Sequence, residues 1–196
     1  MGYSIDPISA NCYPGTTTLI NKFDIRDEGK LNEVEGVVSS ARYAEWLSAP
    51  QTATFDFDHY KAIHHFLFSD LYEWAGDIRT VDISKKGTLF TPAESIVSQA
   101  KLIFERLQDR NYFKGLSHGE FVEEIVDFYC VTNMLHPFRE GNGRTQRVFL
   151  TQLVRNAGYE INFADMDTDL LMIATIQSAQ GVTDLLERIF NESILP

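Results

Sequence analysis

Cysteine is nearly absent: Cys12 and Cys130 are the two thiols in 196 residues. That is too few for a disulfide framework, and no Cys/His spacing suits zinc, so a reducing compartment fits. Cys130 falls in an apolar helical pattern and reads as a core thiol. Long hydrophobic runs are missing too. No stretch reaches about 18 apolar residues, so no membrane-spanning helix is expected. No basic segment leads into an apolar run at the start, so no Sec-type signal is expected. A cytoplasmic location fits, as does delivery to a host cell by a route other than Sec. Basic residues are the minority: 17 Lys and Arg stand against 28 Asp and Glu, a formal net charge of −11. This balance argues against nonspecific binding to nucleic acid or to an anionic membrane. A local cluster of arginines in such a chain therefore stands out.

Strand signals are equally sparse, and no internal repeat or linker divides the chain. The expectation is one all-α domain over residues 1–196, with an irregular arm (1–26) rich in Pro, Gly, Ser and Thr. Asp27 can cap a helix whose apolar residues Leu31, Val34, Val38 and Ala41 keep a 3.6-residue spacing, until Ser48 to Thr54 break it. A second helix is predicted from Asp56 to Ala75, with Ile63, Leu67, Leu71 and Trp74 buried and Gly76 at its C′ position. His59, His64 and His65 lie there without the i, i+4 pairing of a helical zinc site, so they read as structural or surface residues. Residues 77–90 alternate as Thr80-Val81-Asp82-Ile83, turn at Lys85-Lys86-Gly87 and return through Thr88-Leu89-Phe90, one small hairpin that must lean on helices. Thr91-Pro92-Ala93-Glu94 reads as an N-cap with Pro at N1, and Ser117 with Glu120 as a capping box. The latter opens a helix to Met134 that is apolar over a wide arc and so is buried on several sides. Further helices follow to Gly158, from Asp165 or Asp167, and from about Thr183 to Phe190.

The chain is organised around Leu135-His136-Pro137-Phe138-Arg139-Glu140-Gly141-Asn142-Gly143-Arg144-Thr145-Gln146-Arg147. Pro137 ends the preceding helix. The glycines flanking Asn142 let the backbone take positive φ and approach a ligand closely. A new helix starts near Arg144, and its unpaired N–H groups make an anion site. Arg144 and Arg147 share one face of its first turn, where cations oppose the helix dipole unless a polyanion is bound. No Gly-Lys-Ser/Thr follows, which excludes a Walker loop, and the preceding helical pattern excludes a Rossmann fingerprint. With a nucleoside triphosphate on the Gly141–Arg144 amides, Glu140 can hold Mg²⁺. Arg144 and Arg147 can clamp phosphate oxygens, and Asn142 can donate its amide to the reacting phosphate. His136 can accept a hydroxyl proton. Phe138 reads as a core anchor.

His136 to Arg147 resembles the signature of Fic domains, His-x-Phe-x-Asp/Glu-Gly-Asn-Gly-Arg-x-x-Arg, at every fixed position, and the likeness extends over most of the chain. The resemblance implies a Fic-fold helical bundle with one β-hairpin flap. It implies transfer of AMP from ATP to a Tyr, Thr or Ser hydroxyl of a target protein, with pyrophosphate leaving. It makes His136 the base and Glu140 the Mg²⁺ ligand. Gly141, Asn142, Gly143, Arg144, Thr145, Gln146 and Arg147 become the phosphate-binding run, with Lys85, Lys86 and Gly87 near the nucleotide. Val81, Asp82, Ile83, Ser84 and Phe90 of the flap would hold the target segment. Two other readings are a kinase-like branch, in which Lys replaces the second glycine, and a non-catalytic nucleotide-binding module. The retained Gly143 favours nucleotidyl transfer, and the intact base, carboxylate and arginines argue against a pure binder. Many Fic proteins are silenced by a helix bearing Ser/Thr-x-x-x-Glu-Gly/Asn, whose Glu meets the second motif arginine. No match occurs here. Leu31 to Gly36 comes nearest and reads as core packing, and Thr183 to Arg188 has Arg188 where Gly or Asn belongs. The expectation is restraint in trans by a small antitoxin-like partner at Arg147.

Overall fold

The computed structural model describes residues 11–48 and 53–196. Residues 1–10 of the expected arm and 49–52 of the expected helix break lie outside the described residues. Among the described residues seven α-helices carry the fold: α1 (Glu28–Ser48), α2 (Phe57–Phe68), α3 (Ile96–Asp109), α4 (His118–Leu135), α5 (Asn142–Asn156), α6 (Thr168–Ser178) and α7 (Asp184–Ser193). Two small antiparallel pairs accompany them: β1 (Ser84–Lys85) with β2 (Thr88–Leu89), and β3 (Glu160–Ile161) with β4 (Ile194–Leu195).

α4 and α5 form the centre. α5 packs against α2, α4 against α3 and α7, and α1 covers α2. α4 starts where the sequence places it, since Ser117 donates its backbone N–H to Glu120 Oε2 at 3.0 Å. Phe121, Ile125, Phe128, Tyr129 and Leu135 are all buried, the wide apolar arc of a central helix. Phe149 of α5 meets Phe55, Tyr60, Phe104 and Phe128 through ring contacts at 5.4–5.8 Å. Asp27 caps α1 by accepting from Lys30 N at 2.7 Å, and Asp167 caps α6 by accepting from Asp169 N and Leu170 N.

Four expectations are corrected. α2 stops at Phe68 rather than Ala75. The apolar spacing does continue through Leu71 and Trp74, but tertiary bonds override it. Lys22 N of the arm takes Leu71 O at 2.8 Å, and His64 Nδ1 accepts from Gly76 N at 2.8 Å, drawing the chain into turns. Thr91 does not cap a helix. Its hydroxyl donates to Met134 O, and Asp82 Oδ1 instead accepts from Ala93 N at the 3₁₀ turn Ala93–Ser95 that precedes α3. The flap's ladder covers only Ser84–Lys85 and Thr88–Leu89, because Arg79 takes Val81 O away from any strand partner. The second pair, β3 with β4, joins segments too short and too far apart to show a period; buried Ile161 faces buried Ile194.

His64 lies beneath the motif loop, fully buried. Because Nδ1 accepts from Gly76 N, the ring proton sits on Nε2 and donates to Glu140 O at 2.9 Å. Burial pushes its pKa down to about 3, aided by the nearby Arg144 and His65 and opposed by the Glu140 carbonyl. A second proton would face the Gly76 N–H. Between that value and the ordinary 6.5 the unfolded chain takes up a proton that the folded chain refuses, so stability is full above 6.5 and is lost as pH falls below it. The expected contribution of His64 is a loss of about 2 kcal/mol from pH 7 to pH 5. Urea unfolding at both pH values, compared with His64→Gln, measures it: the variant's drop should be smaller by that amount.

Candidate active site

α4 ends at His136, whose φ of 41° and ψ of 59° are left-handed. Non-glycine residues rarely take this region, and one that does must be held by its surroundings. His136 N caps back to Thr132 O, and Nδ1–H donates to Asn133 O at 2.8 Å. A carbonyl can only accept, so the ring proton sits on Nδ1 and Nε2 is the basic nitrogen of a residue that lines the cavity. Phe90 stacks on the ring, centroids 3.7 Å apart and planes 12° off parallel. Burial pushes the His136 pKa down to about 3, with the Lys85 and Arg79 charges acting the same way and the Asn133 bond opposing.

From Pro137 to Gly141 the chain crosses from α4 to α5. Phe138 is fully buried between Tyr60 and His64, stacked on the latter at 3.8 Å. Asn142 closes the loop on itself: Phe138 N donates to its Oδ1 at 2.9 Å and its Nδ2 donates to Phe138 O at 2.8 Å. Gly141 has a φ of 79°, and a Cβ there would lie 2.4 Å from the Phe68 ring, so glycine is required on both counts. The first helical bond of α5 is Thr145 N to Gly141 O, leaving the amides of Asn142, Gly143 and Arg144 as the helix's unpaired N-terminal donors.

A cavity of about 640 Å³ opens over this helix end. His136, Glu140, Gly141, Gly143, Arg144 and Arg147 line one end, with Ser39, Ser40 and Tyr43 of α1. Lys85, Lys86 and Thr88 of the flap cross it, and Phe163, Leu171, Met172, Thr175 and Ile176 form an apolar far end. Arg147 lies back over the helix start, with Nη1 3.5 Å from where a Gly143 Cβ would stand. Among the described residues no carboxylate pairs with it. Arg144 is held differently: Nη1 donates to Ser39 Oγ at 2.8 Å, Nη2 donates to Glu35 Oε1, and the guanidinium covers the Phe68 ring at 4.7 Å. Tyr72 donates its hydroxyl to the other oxygen of buried Glu35. Glu140 accepts from Gly141 N at 2.8 Å, and burial, then the Glu35 charge, raises its pKa against the Gly141, Arg144 and Lys85 contributions.

The expected site residues thus divide. Lys85 and Lys86 reach the cavity with the six motif residues, while Gly87 points to solvent at the flap tip. Asn142 is spent on Phe138 and turns away from the phosphate end. Thr145 donates to Gly141 O, and Gln146 donates to Tyr129 O and Thr132 Oγ1, so both are buried braces rather than phosphate ligands. The Gly141 amide is taken by Glu140. Arg139 is 3 % exposed and donates to Cys12 Sγ, so it does not join the other two arginines. In the flap, Ile83 and Phe90 form a small buried cluster with Val81 packed against it, and Phe90 also lines the cavity. Asp82 serves as a cap, and half-buried Ser84 pairs with Leu89 in the ladder. Sequence reasoning missed Arg79, Glu35 and the α1 hydroxyls. Glu35, Ser39 and Tyr43 stand at i, i+4 and i+8, a polar stripe at helical spacing that could have revealed a second wall of the site.

The helical fold, with the motif residues gathered on a cavity at the loop-to-helix junction, defines a Fic-type domain, and the chain belongs to the Fic/DOC family, whose model matches residues 54–154. It is similar to the "Probable protein adenylyltransferase y4lH" of Sinorhizobium fredii, 38 % identical over 90 % of this chain and 89 % of that one. It is 37 % identical to the protein adenylyltransferase VbhT of Bartonella schoenbuchensis over 92 % of this chain, which spans only 38 % of VbhT. Among solved structures, BepC of Bartonella tribocorum, a VirB-translocated effector with bound AMPPNP, superposes with a TM-score of 0.89 at 30 % identity, covering 95 % of this chain and 96 % of that one.

With its pKa so far below the ordinary range, His136 stays neutral, and so usable as a base, well into mild acid. The expected pH profile of the catalysed rate is level from pH 8 to about pH 6, without the limb that an ordinary histidine gives near 6.5. Initial rates across buffers of constant ionic strength check this.

Proposed function

We propose that this chain is a protein adenylyltransferase, a nucleotidyltransferase that moves AMP from ATP to a Tyr, Thr or Ser hydroxyl of a target protein. The observation that carries the reading is the convergence on one cavity of His136 Nε2, the Glu140 carboxylate, the α5 amides and Arg147. A triphosphate lies with its charge on the Gly143 and Arg144 amides and the two arginines. The target hydroxyl attacks the α-phosphorus while His136 Nε2 takes its proton. The new O–P bond forms as the bond from phosphorus to the bridging oxygen breaks, and pyrophosphate leaves. Positioning and charge stabilisation do most of this work. The apolar far end has the character of a base site. The β1–β2 flap is suited to offering main-chain bonds to an extended target segment.

Mg²⁺ fits the residues present. Glu140 is the single carboxylate lining the cavity, and no cluster of three His, Cys, Asp or Glu exists among the described residues. That suits an ion that keeps its waters and takes one or two carboxylates plus phosphates. When bound it would neutralise phosphate charge. No described helix is long and apolar enough to cross a membrane. We propose a cytoplasmic location, with export by a non-Sec route as the other destination, a route in keeping with the VirB-translocated BepC.

Control is proposed to come from outside the chain. Glu35, expected to serve core packing alone, reaches an active-site arginine, but it is Arg144 and not Arg147. Arg147 therefore stays open to an antitoxin-like helix carrying a Glu. Glu35 is held in the wall by Tyr72 and Arg144. Glu35→Gly is expected to leave AMP transfer equal to or below wild type when assayed without a partner, and a several-fold rise would show an internal inhibitor.

The reaction itself is tested with α- and γ-labelled ATP in a cell lysate. α-label, a mass gain of about 329 Da, is expected on protein, against about 80 Da and γ-label for phosphorylation. His136→Ala should lower transfer by about 10²–10⁴-fold while ATP binding by calorimetry survives. Undiminished labelling in the mutant would remove His136 as the base.

A further inference from the structure

Arg79 stands outside the motif, and its side chain is 5 % exposed. Its Nε donates to His136 O at 2.8 Å. Nη1 donates to Val81 O at 2.7 Å and Nη2 to Thr91 O. Its own backbone N donates to Pro137 O at 2.9 Å. Val81 lies just before β1 and Thr91 just after β2, so one guanidinium holds both legs of the flap. The same fork holds the His136 carbonyl, and the Arg79 backbone N–H holds the carbonyl of the residue after it. Phe90, adjacent to Thr91, closes the circuit by stacking on the His136 ring.

We propose that Arg79 is a positioning residue that locks the flap and the catalytic base into one rigid unit. A left-handed non-glycine residue relaxes unless several contacts over-determine it. Here the stacking contact on the His136 ring and the bond to its carbonyl both come through the flap, beside the Nδ1–H bond to Asn133 O within α4. A planar fork with donors in three directions suits this; a lysine offers one point of attachment. Arg79 does not line the cavity, so its effect on the reaction passes through the groups it holds, His136 and the flap. The charged groups facing His136 are Arg79 and Lys85 from the flap segment, with Glu140, Arg144 and Arg147 across the cavity. Both flap cations push the ring toward its neutral form.

The proposal rests on the reading of His136 as the base, and the test separates the two. Arg79→Lys keeps charge and length and removes the fork. Transfer of α-labelled AMP to lysate protein at saturating ATP is expected to fall about 10–100-fold, while ATP affinity by calorimetry changes less than about 3-fold. The imidazole N–H signals give a readout independent of activity. The His136 Nδ1–H, assigned by its loss in His136→Gln, should exchange with solvent at least about tenfold faster in Arg79→Lys. The His64 Nε2–H should be unchanged. Arg79→Met should in addition move the acid limb of the rate to higher pH, because a neighbouring cation is gone. If Arg79→Met fails to fold, Phe90→Leu with Arg79→Lys gives a second check: the double variant should lose little more than the worse single one. An unchanged His136 Nδ1–H would overturn the proposal, as would equal loss of the His64 and His136 signals, which marks general unfolding. Absence of labelled transfer in wild type would sink the reaction class and leave the N–H result to decide the role of Arg79.

Discussion

The active-site loop is held by a reciprocal pair of hydrogen bonds between the backbone of Phe138 and the amide of Asn142. A side-chain amide has one acceptor end and one donor end, and here both meet the same residue four positions back. This forces the chain between α4 and α5 into a closed turn. The Phe138 ring is carried into the core, where Tyr60 and His64 take it on either side. Truncating such a ring costs about 3–5 kcal/mol in general. Everything at the phosphate end follows from it: the left-handed Gly141, the bare amides at the start of α5, and the aim of Glu140.

The site sets its charges against the rest of an acidic chain. Two of three local arginines face the cavity, one braced by Glu35 and Ser39 and the other without a carboxylate among the described residues. A guanidinium has five N–H donors, so Arg144 keeps donors for a phosphate even while bonded to α1. The bracing removes rotamer freedom before ligand arrives, which lowers the entropy lost on binding. His136 is treated oppositely. It is buried among cations and aromatic carbon, which disfavours its protonated form and keeps it a proton acceptor.

Much of this was legible in the sequence, for identifiable reasons. The helical class, α4 with its Ser117–Glu120 cap, the starts of α1 and α6, and the family of the motif all rest on local signals that tertiary structure did not oppose. The end of α2 was not legible, because Leu71 and Trp74 keep a helical spacing even though His64 and Lys22 bind the backbone there in another conformation. The inward turn of Asn142 was hidden because donor chemistry says what a side chain can do and not which partner it finds. The burial of Ile83 and Phe90 was hidden for a like reason: a two-residue ladder leaves the face of each side chain to be settled by packing. Arg79 gave no signal at all, since its three bonds go to carbonyls scattered from Val81 to His136.

The two glycines around Asn142 look alike in the motif but answer to different masters. At Gly141 the backbone is left-handed and the Phe68 ring fills the space of a side chain, so the fold itself forbids any other residue. At Gly143 the backbone is ordinary helix and the nearest atom to an added Cβ is the end of the flexible Arg147, at a comfortable 3.5 Å. The protein could carry a side chain there and still fold. Gly143 lines the cavity, so a side chain there would take up room in the cavity rather than in the core. Replacement at 141 therefore tests folding, and replacement at 143 tests what the cavity can admit.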